Sequence, residues 1–188
     1  MTMGRGFPLP DFPASDWGKE ALAQMGVRPA SSSDIPFLRE LYRTLRLDEL
    51  AAIPWTSDER QEFLDSQFDL QHRHYLAAFP RADFLLIQEG LAPAGRLYID
   101  RNIDTWHILD ISLLPSFRNR GIATALLTRL QSNASETRAS RISLHVARDN
   151  SGGRRLYRRL GFIEDGESET HFRMRWRIEG SGGRADQL

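Results

Sequence analysis

The chain has no cysteine. That excludes a disulfide framework, a cysteine-ligated metal site and a covalent thiol acyl-enzyme. It also lacks any run approaching the roughly 20 apolar residues that span a bilayer, and its first residues do not follow the basic-then-apolar order of a secretion signal. Lysine is nearly missing: Lys19 stands alone among 25 basic residues, the others being arginine, which grips phosphate well. Neither sign of charge is in excess, since acidic and basic residues balance to a formal net charge of zero. No global field therefore draws the chain to nucleic acid or to an anionic membrane. A cytoplasmic protein with neither as partner is the expectation.

What is present suits one ordinary domain. At 188 residues, with 40% hydrophobic residues and 10 Phe, the chain can bury a substantial core. Residues 1–24 read as an N-terminal extension, partly disordered. Phe7, Phe12 and Trp17 make it too aromatic for a linker, and Pro8, Pro10 and Pro13 break any regular element. The domain is expected over 25–179, with the Gly- and Ser-rich 180–188 as a flexible tail. Residues 26–30 suit a first strand, and Ser33 can cap a helix whose buried stripe is Ile35, Leu38, Leu41 or Tyr42, and Leu45. Thr56 and Glu59 have the spacing of a capping box, opening a second helix that runs to Tyr75. Strands at 83–88 and 95–100 form a hairpin around Gly90 and Pro93. Near the end, Phe172, Met174, Trp176 and Ile178 alternate with Arg173, Arg175 and Arg177, the pattern of a strand buried on one face.

The stretch at 106–131 carries most of the information. Ile108, Leu109, Ile111, Leu113 and Leu114 are too apolar to be solvated on either face, hence a buried strand, which Pro115 ends. After an Arg/Gly turn, Ile122, Ala125, Leu126 and Leu130 line one stripe of a helix. A helix start leaves backbone N–H groups without intrahelical partners, all pointing one way. Gly121 gives close access and the helix dipole favours negative charge, so 118–124 is a candidate phosphate seat. The same residues would equally serve as an ordinary exposed connection. A strand over 140–147 follows, then Asn150 and a helix that stops at Gly161.

Together these segments resemble the GNAT acyl-CoA N-acyltransferase superfamily. Its Arg/Gln-x-x-Gly-x-Gly/Ala signature is matched by Arg118, Gly121 and Ala123. Its Asn-x-x-Ala-x-x-Leu-Tyr-x-x-Leu-Gly-Phe pattern is matched by Asn150, Leu156, Tyr157, Leu160, Gly161 and Phe162, with Gly153 in place of alanine. The resemblance covers about 25–178 and implies an α/β (α+β) fold, a single domain whose mixed central sheet of about six to seven strands is flanked by about four helices. The implied order is β-α-α-β-β-β-α-β-α-β-β. Ile53-Pro54-Trp55 and the run from Gln67 to Tyr75 are similar to a bacterial GNAT subgroup of undefined substrate. The implied activity is movement of an acetyl group from acetyl-CoA to an amine by direct transfer in a ternary complex, with no metal. A non-catalytic acyl-CoA-binding or regulatory module of the same fold is the alternative.

The resemblance also distributes roles. The N–H groups of Asn119, Arg120, Gly121, Ile122, Ala123 and Thr124 would hold the cofactor pyrophosphate, with Arg118 and Arg120 adding charge. Main chain from Ile111 to Leu114 would pair with the pantetheine arm as an added strand, with the Leu113 N–H as oxyanion donor. Leu113 and Leu114 are equally well explained as core. Tyr157 would protonate the departing thiolate, since a phenol of pKa about 10 keeps its proton at neutral pH. Asn150, and Gly153 in the same pattern, would fix the loop and contact pantetheine.

For the amine, the position six residues before Leu113, which often carries a carboxylate in the superfamily, is His107, and imidazole titrates near neutrality. Asp110 lies within the apolar strand and must be paired, shifted in pKa or at a cavity. Regular alternation puts His107, Leu109, Ile111 and Leu113 on one face and Asp110 and Ser112 on the other, so His107 and Asp110 share a site only if the strand is irregular. Trp55, Phe63, Gln67 and Tyr75, with Asp110, are candidates for the acceptor pocket, Phe63 and Phe68 of the second helix being equally well explained as core. His72 and His74, two apart on a helix, do not face each other and so do not jointly ligate a metal. Arg154 or Arg155 suits the cofactor's adenosine phosphate, while Arg158 and Arg159 read as solvated surface. The partner implied is a small-molecule or peptide amine, and pairing into a homodimer through the last strands is common in the superfamily.

Overall fold

The computed structural model describes residues 9–13, 15, 17–137 and 139–178. The expected tail at 180–188 and the first eight residues of the expected extension lie outside them. The chain runs α1 (Lys19–Met25), β1 (Val27–Pro29), α2 (Ile35–Arg46), α3 (Ser57–Ala78), β2 (Asp83–Glu89), β3 (Ala92–Arg101), β4 (Thr105–Leu113), α4 (Ile122–Ser135), β5 (Arg141–Ala147), α5 (Ser151–Arg159), β6 (Ile163–Glu167) and β7 (His171–Arg177). The strands make one seven-stranded sheet in the order β1-β2-β3-β4-β5-β7-β6. It is mixed: β4 and β5 are parallel, and every other neighbouring pair is antiparallel. This is the single α/β domain expected, with α1 added before the expected order.

Local chemistry explains the boundaries. α1 forms where the sequence suggests no regular element; it buries Leu22 and Met25 and ends at Gly26, whose φ of 67° is the left-handed conformation of a helix stop. Ser31, rather than Ser33, starts the next segment: its N–H donates to the Asp34 carboxylate at 2.8 Å, and a short 3₁₀ turn, Ser32–Asp34, leads into α2. α3 opens on the expected capping box, the Glu59 N–H reaching the Thr56 hydroxyl at 3.2 Å and the Glu59 carboxylate accepting the Thr56 N–H at 2.7 Å. Arg39–Asp69 at 2.7 Å and Arg43–Asp65 at 2.8 Å tie α2 to α3.

The two faces of the sheet are packed separately. Leu126, Leu127 and Leu130 of α4, Leu22 and Met25 of α1 and Tyr157 of α5 join a cluster with Leu97, Ile99, Trp106, Ile108, Leu144 and Met174. On the other face, Leu38 and Tyr42 of α2 and Phe68 of α3 pack on Leu86, and Tyr75 packs with Phe84, Tyr98 and Leu109. Leu9 and Phe12 of the extension lie over this second layer, whereas Trp17 packs on the first. The Pro10 carbonyl accepts a hydrogen bond from His72 Nε2 at 3.0 Å, and the Phe12 ring meets the His72 ring edge-on at 4.8 Å.

Two irregularities in β4 position the site. Tyr98 pairs with Asp110 and Ile99 with Ile108, so Leu109 is an extra residue on β4, a bulge. The expected alternation therefore fails at Leu109. Ile108 and Ile111 both face the α4 side, and His107, Asp110 and Ser112 come to share the opposite face. Secondly, β4 and β5 are paired only from Thr105↔Arg141 to Ile108↔Leu144. Beyond that point both strands continue without pairing each other, and the sheet opens into a split. Gly95 lets β3 hold the far side of β4 there: a Cβ on it would sit 2.0 Å from the Ser112 carbonyl oxygen.

Candidate active site

A cleft of about 870 Å³ enters the split. Its lining comes from the end of β4 (Ile111, Ser112, Leu113), the turn before α4 (Arg118, Asn119, Gly121), the first turn of α4, and Ala147, Asn150, Gly153 and Tyr157 beyond β5. The turn takes φ of 58° at Asn119 and 82° at Gly121. The first intrahelical bond of α4 runs from the Ala125 N–H to the Gly121 carbonyl at 2.9 Å, so the N–H groups of Ile122, Ala123 and Thr124 precede the ladder. No side chain caps this end, and a Cβ on Gly121 would meet nothing within 4 Å. An open cradle of N–H groups at a helix start has the geometry and the dipole to take an anion such as a phosphate.

The arginines divide. Arg118 lines the cleft and donates from Nε to the Leu113 carbonyl at 3.1 Å. Arg120 is drawn to Glu89 at 2.8 Å, over the Phe117 ring, and is not part of the lining. Arg155 and Arg159 do line it, whereas Arg154 and Arg158 both pair with Glu164, at 3.0 and 2.7 Å.

On the β4 side the backbone is directed into the split. The Leu114 N–H donates to the Ala94 carbonyl at 2.9 Å, and N–H groups alternate sides along a strand, so those of Leu113 and Ile111 point away from β3. On the β5 side, Asn150 caps α5 by accepting the Gly153 N–H at 2.8 Å. A Cβ on Gly153 would come within 2.9 Å of the Asn150 side chain, which accounts for glycine there. Tyr157 is buried edge-on against Phe162 at 5.8 Å, and its hydroxyl has no hydrogen-bond partner among the described residues. Burial, then the Asp110 charge, pushes that hydroxyl up to about 12.

A buried polar network supports this end of β4. Arg96, 3% exposed, donates to Asp110 Oδ2 at 2.6 Å and to Gln71 Oε1 at 3.0 Å, and Ser112 Oγ donates to Asp110 Oδ1 at 2.5 Å. Burial opposes the guanidinium charge, but the adjacent carboxylate, with Tyr98 and Tyr75, holds Arg96 above its ordinary value.

The sequence model of the Acetyltransferase (GNAT) family matches residues 40–162. The chain belongs to this family. No curated protein matches it by sequence. Structures similar to it include the PaiA N-acetyltransferase of Thermoplasma acidophilum in complex with coenzyme A (TM-score 0.63, 18% identity, 81% of this chain and 98% of that one covered). The ribosomal-protein-S18-alanine N-acetyltransferase of Escherichia coli is another (TM-score 0.58, 17% identity, 86% and 98% covered). RimL, a ribosomal L7/L12 α-N-protein acetyltransferase in complex with coenzyme A, is a third (TM-score 0.59, 20% identity, 81% and 93% covered). At these identities the likeness concerns the fold.

Around this GNAT cleft the residues singled out from sequence fall into two sets. Leu113, Arg118, Asn119, Gly121, Ile122, Ala123, Thr124, Asn150, Gly153 and Tyr157 all line it; Leu114, Arg120, His107, Asp110 and Tyr75 do not. His107 lies at the last stretch of β4 still paired with β5, its Nδ1 2.9 Å from the Ser143 hydroxyl. Burial, then His145, lowers its pKa. Tyr75 packs edge-on to Tyr98 at 5.6 Å, and burial, then Asp110, pushes it up to about 12. Trp55 meets Phe63 at a tilt, with ring centroids 5.1 Å apart, and neither they nor Gln67 line the cleft. Phe68 is core and Phe63 is exposed. His72 is buried and His74 exposed. Leu45 and Glu49, at the end of α2 and just after it, line the cleft and carry no sequence signal for doing so. Among the described residues no group of three or more His, Cys, Asp or Glu could hold a metal ion, and no helix is long and apolar enough to cross a membrane.

Proposed function

We propose that this chain transfers an acetyl group from acetyl-CoA to an amine by direct attack within a ternary complex. The observation that carries it is the juxtaposition, in one cleft, of an open helix start with the split between β4 and β5 and a buried tyrosine. The N–H groups from Asn119 to Thr124 hold the pyrophosphate, Arg118 adds charge, and Arg155 and Arg159 suit the adenosine phosphate. The pantetheine arm fills the gap left by the missing β4–β5 pairs, and the Leu113 N–H donates to the thioester oxygen as it becomes anionic. The amine nitrogen forms the new bond to the acetyl carbon as the C–S bond breaks. Tyr157 donates a hydrogen bond, and then a proton, to the sulfur. The proton lost by nitrogen goes to a base on the open face of the sheet. Asp110 is engaged by Arg96 and Ser112, so His107, kept neutral by burial, is assigned that role through water. Coenzyme A complexes of two similarly folded proteins support the cofactor, and two such proteins named for ribosomal-protein acceptors support a peptide amine among the possible acceptors.

Gly121→Asp tests the cofactor seat. The site has room for the side chain, and aspartate tolerates the left-handed backbone at a cost of about 1 kcal/mol, so the fold survives. A carboxylate facing the pyrophosphate should weaken CoA at least about tenfold in calorimetry. Unchanged affinity would contradict the seat. Thiol release from acetyl-CoA with a panel of amines tests turnover, and binding without release from any amine would mark a non-catalytic acyl-CoA module.

A further inference from the structure

Beyond β4, the face opposite α4 and α5 is open: His145, His171, Arg173 and Arg177 are exposed. Ile142, Leu144, Val146 and Met174 are buried on the α4 side, so the open face carries the alternate residues, namely Arg141, Ser143 and His145 of β5 and His171, Arg173, Arg175 and Arg177 of β7. This strip is cationic in a chain whose net charge is zero. The register sets Arg141 directly opposite Arg177 and His145 opposite Arg173. Like charges facing each other across a ladder cost stability. Neither Arg141 nor Arg177 has an ion pair among the described residues, and Arg141 donates instead to the Thr105 hydroxyl at 2.8 Å. Asp165 serves both Arg173, at 2.9 Å, and Arg175, so two guanidinium groups share one carboxylate. The Arg175 Nε is buried with no hydrogen-bond partner. The imidazole there registers the field: burial, then His171 and Arg173, lower the His145 pKa, with Asp165 opposing.

The strip begins at the active site. Ala147 lines the cleft and pairs with His171, and Arg141 lies six residues back along β5, about 20 Å away. Helices α4 and α5 cover the other face, so the open face is the one from which an acceptor can approach the split. A small amine cannot span such a length. The strip offers no Trp, Tyr or Phe on which bases could stack, which disfavours single-stranded nucleic acid.

We propose that this strip binds an acidic peptide: the acceptor is a polypeptide whose amine enters the split while Asp or Glu side chains, about two to six residues away, lie along Arg173, Arg175, Arg177 and Arg141. The inference rests on the acetyl-transfer reading above for the location of the amine.

The test uses two peptides that share a free α-amine and differ only in carrying Glu or Gln at alternate positions. In thiol release, the wild-type protein should prefer the Glu peptide by about tenfold in kcat/KM, through KM, and the Arg141→Gln/Arg177→Gln double variant, which keeps Arg173 and Arg175, should lose most of that preference. The double variant removes an unfavourable like-charge pair and should melt no lower than wild type, so its loss cannot be assigned to unfolding. Equal rates on the two peptides in the wild type, or a preference undiminished in the double variant, overturns the proposal. Tighter binding of a single-stranded RNA oligonucleotide than of the Glu peptide does so too, as does a dimer in sedimentation that the double variant dissolves. If no amine releases thiol, the activity reading fails separately. Fluorescence anisotropy of the labelled Glu and Gln peptides on the same two proteins then decides the strip by the same outcomes.

Discussion

Replacing Tyr157 with phenylalanine should lower kcat about a hundredfold and leave the KM for acetyl-CoA nearly unchanged. The ring would stay, packed edge-on against Phe162, and only the hydroxyl is lost. That hydroxyl has no partner among the described residues and belongs to a residue lining the cleft, so its removal leaves no stranded group in the fold. Its raised value, about 12, has two consequences. It stays protonated at any working pH, so the wild-type kcat profile should show no limb from Tyr157 below about pH 11. It is also a weaker acid than a thiol of pKa about 8.5, so in the proposed role it would act first by hydrogen-bonding the developing thiolate and move its proton late. Stopped assays of thiol release across pH check both points. An unaffected kcat would remove the role, and a change confined to KM would reduce Tyr157 to packing.

The largest effect on stability is expected at Arg96. Arg96→Met leaves the Asp110 carboxylate, only 14% exposed, without its cation. Breaking one side of a buried pair costs about 3–5 kcal/mol. For a domain of this size that corresponds to a fall in melting temperature of about 10 °C. Restoring apolar match with Arg96→Met/Asp110→Leu should recover most of it, because the desolvated charge is gone. Calorimetric unfolding of the three proteins is the check, and a single variant as stable as wild type would show that the pair is dispensable. The network also bears on the site. Asp110 accepts from Ser112, which lines the cleft, so the double variant, though stable, should lose activity through a misplaced β4 terminus.

Why some of this was legible and some was not follows from individual residues. The helix start at Gly121, the cap at Asn150 and the box at Thr56 and Glu59 are local arrangements within a few residues, and sequence spacing encodes them directly. Asp110 announced that it needed a partner, because a carboxylate in an apolar strand is costly. Its partner could not be named, since Arg96 meets it through the register of β3 against β4. The bulge at Leu109 is hidden for a related reason: Ile108, Leu109 and Ile111 are apolar in either alternation, so nothing in the run marks the extra residue. α1 escaped notice because a seven-residue helix with Leu22 and Met25 as its buried stripe is too short for periodicity to register. Leu45 and Glu49 reach the cleft from the last turn of α2 and from the 3₁₀ turn after it, Leu47–Leu50, a placement set by tertiary packing and not by local spacing. The arginines of β7 read as the solvated face of a strand buried on its other side. Their meaning depends on Arg141 standing opposite Arg177, a tertiary fact.

The structure of this chain with coenzyme A tests the central claim most directly. The account predicts the diphosphate hydrogen-bonded to main-chain N–H groups between Asn119 and Thr124, the pantetheine arm lying between β4 and β5 beyond Ile108 and Leu144, and the sulfur within reach of the Tyr157 hydroxyl. A diphosphate bound at any other surface, or an arm that leaves the split empty, would contradict it.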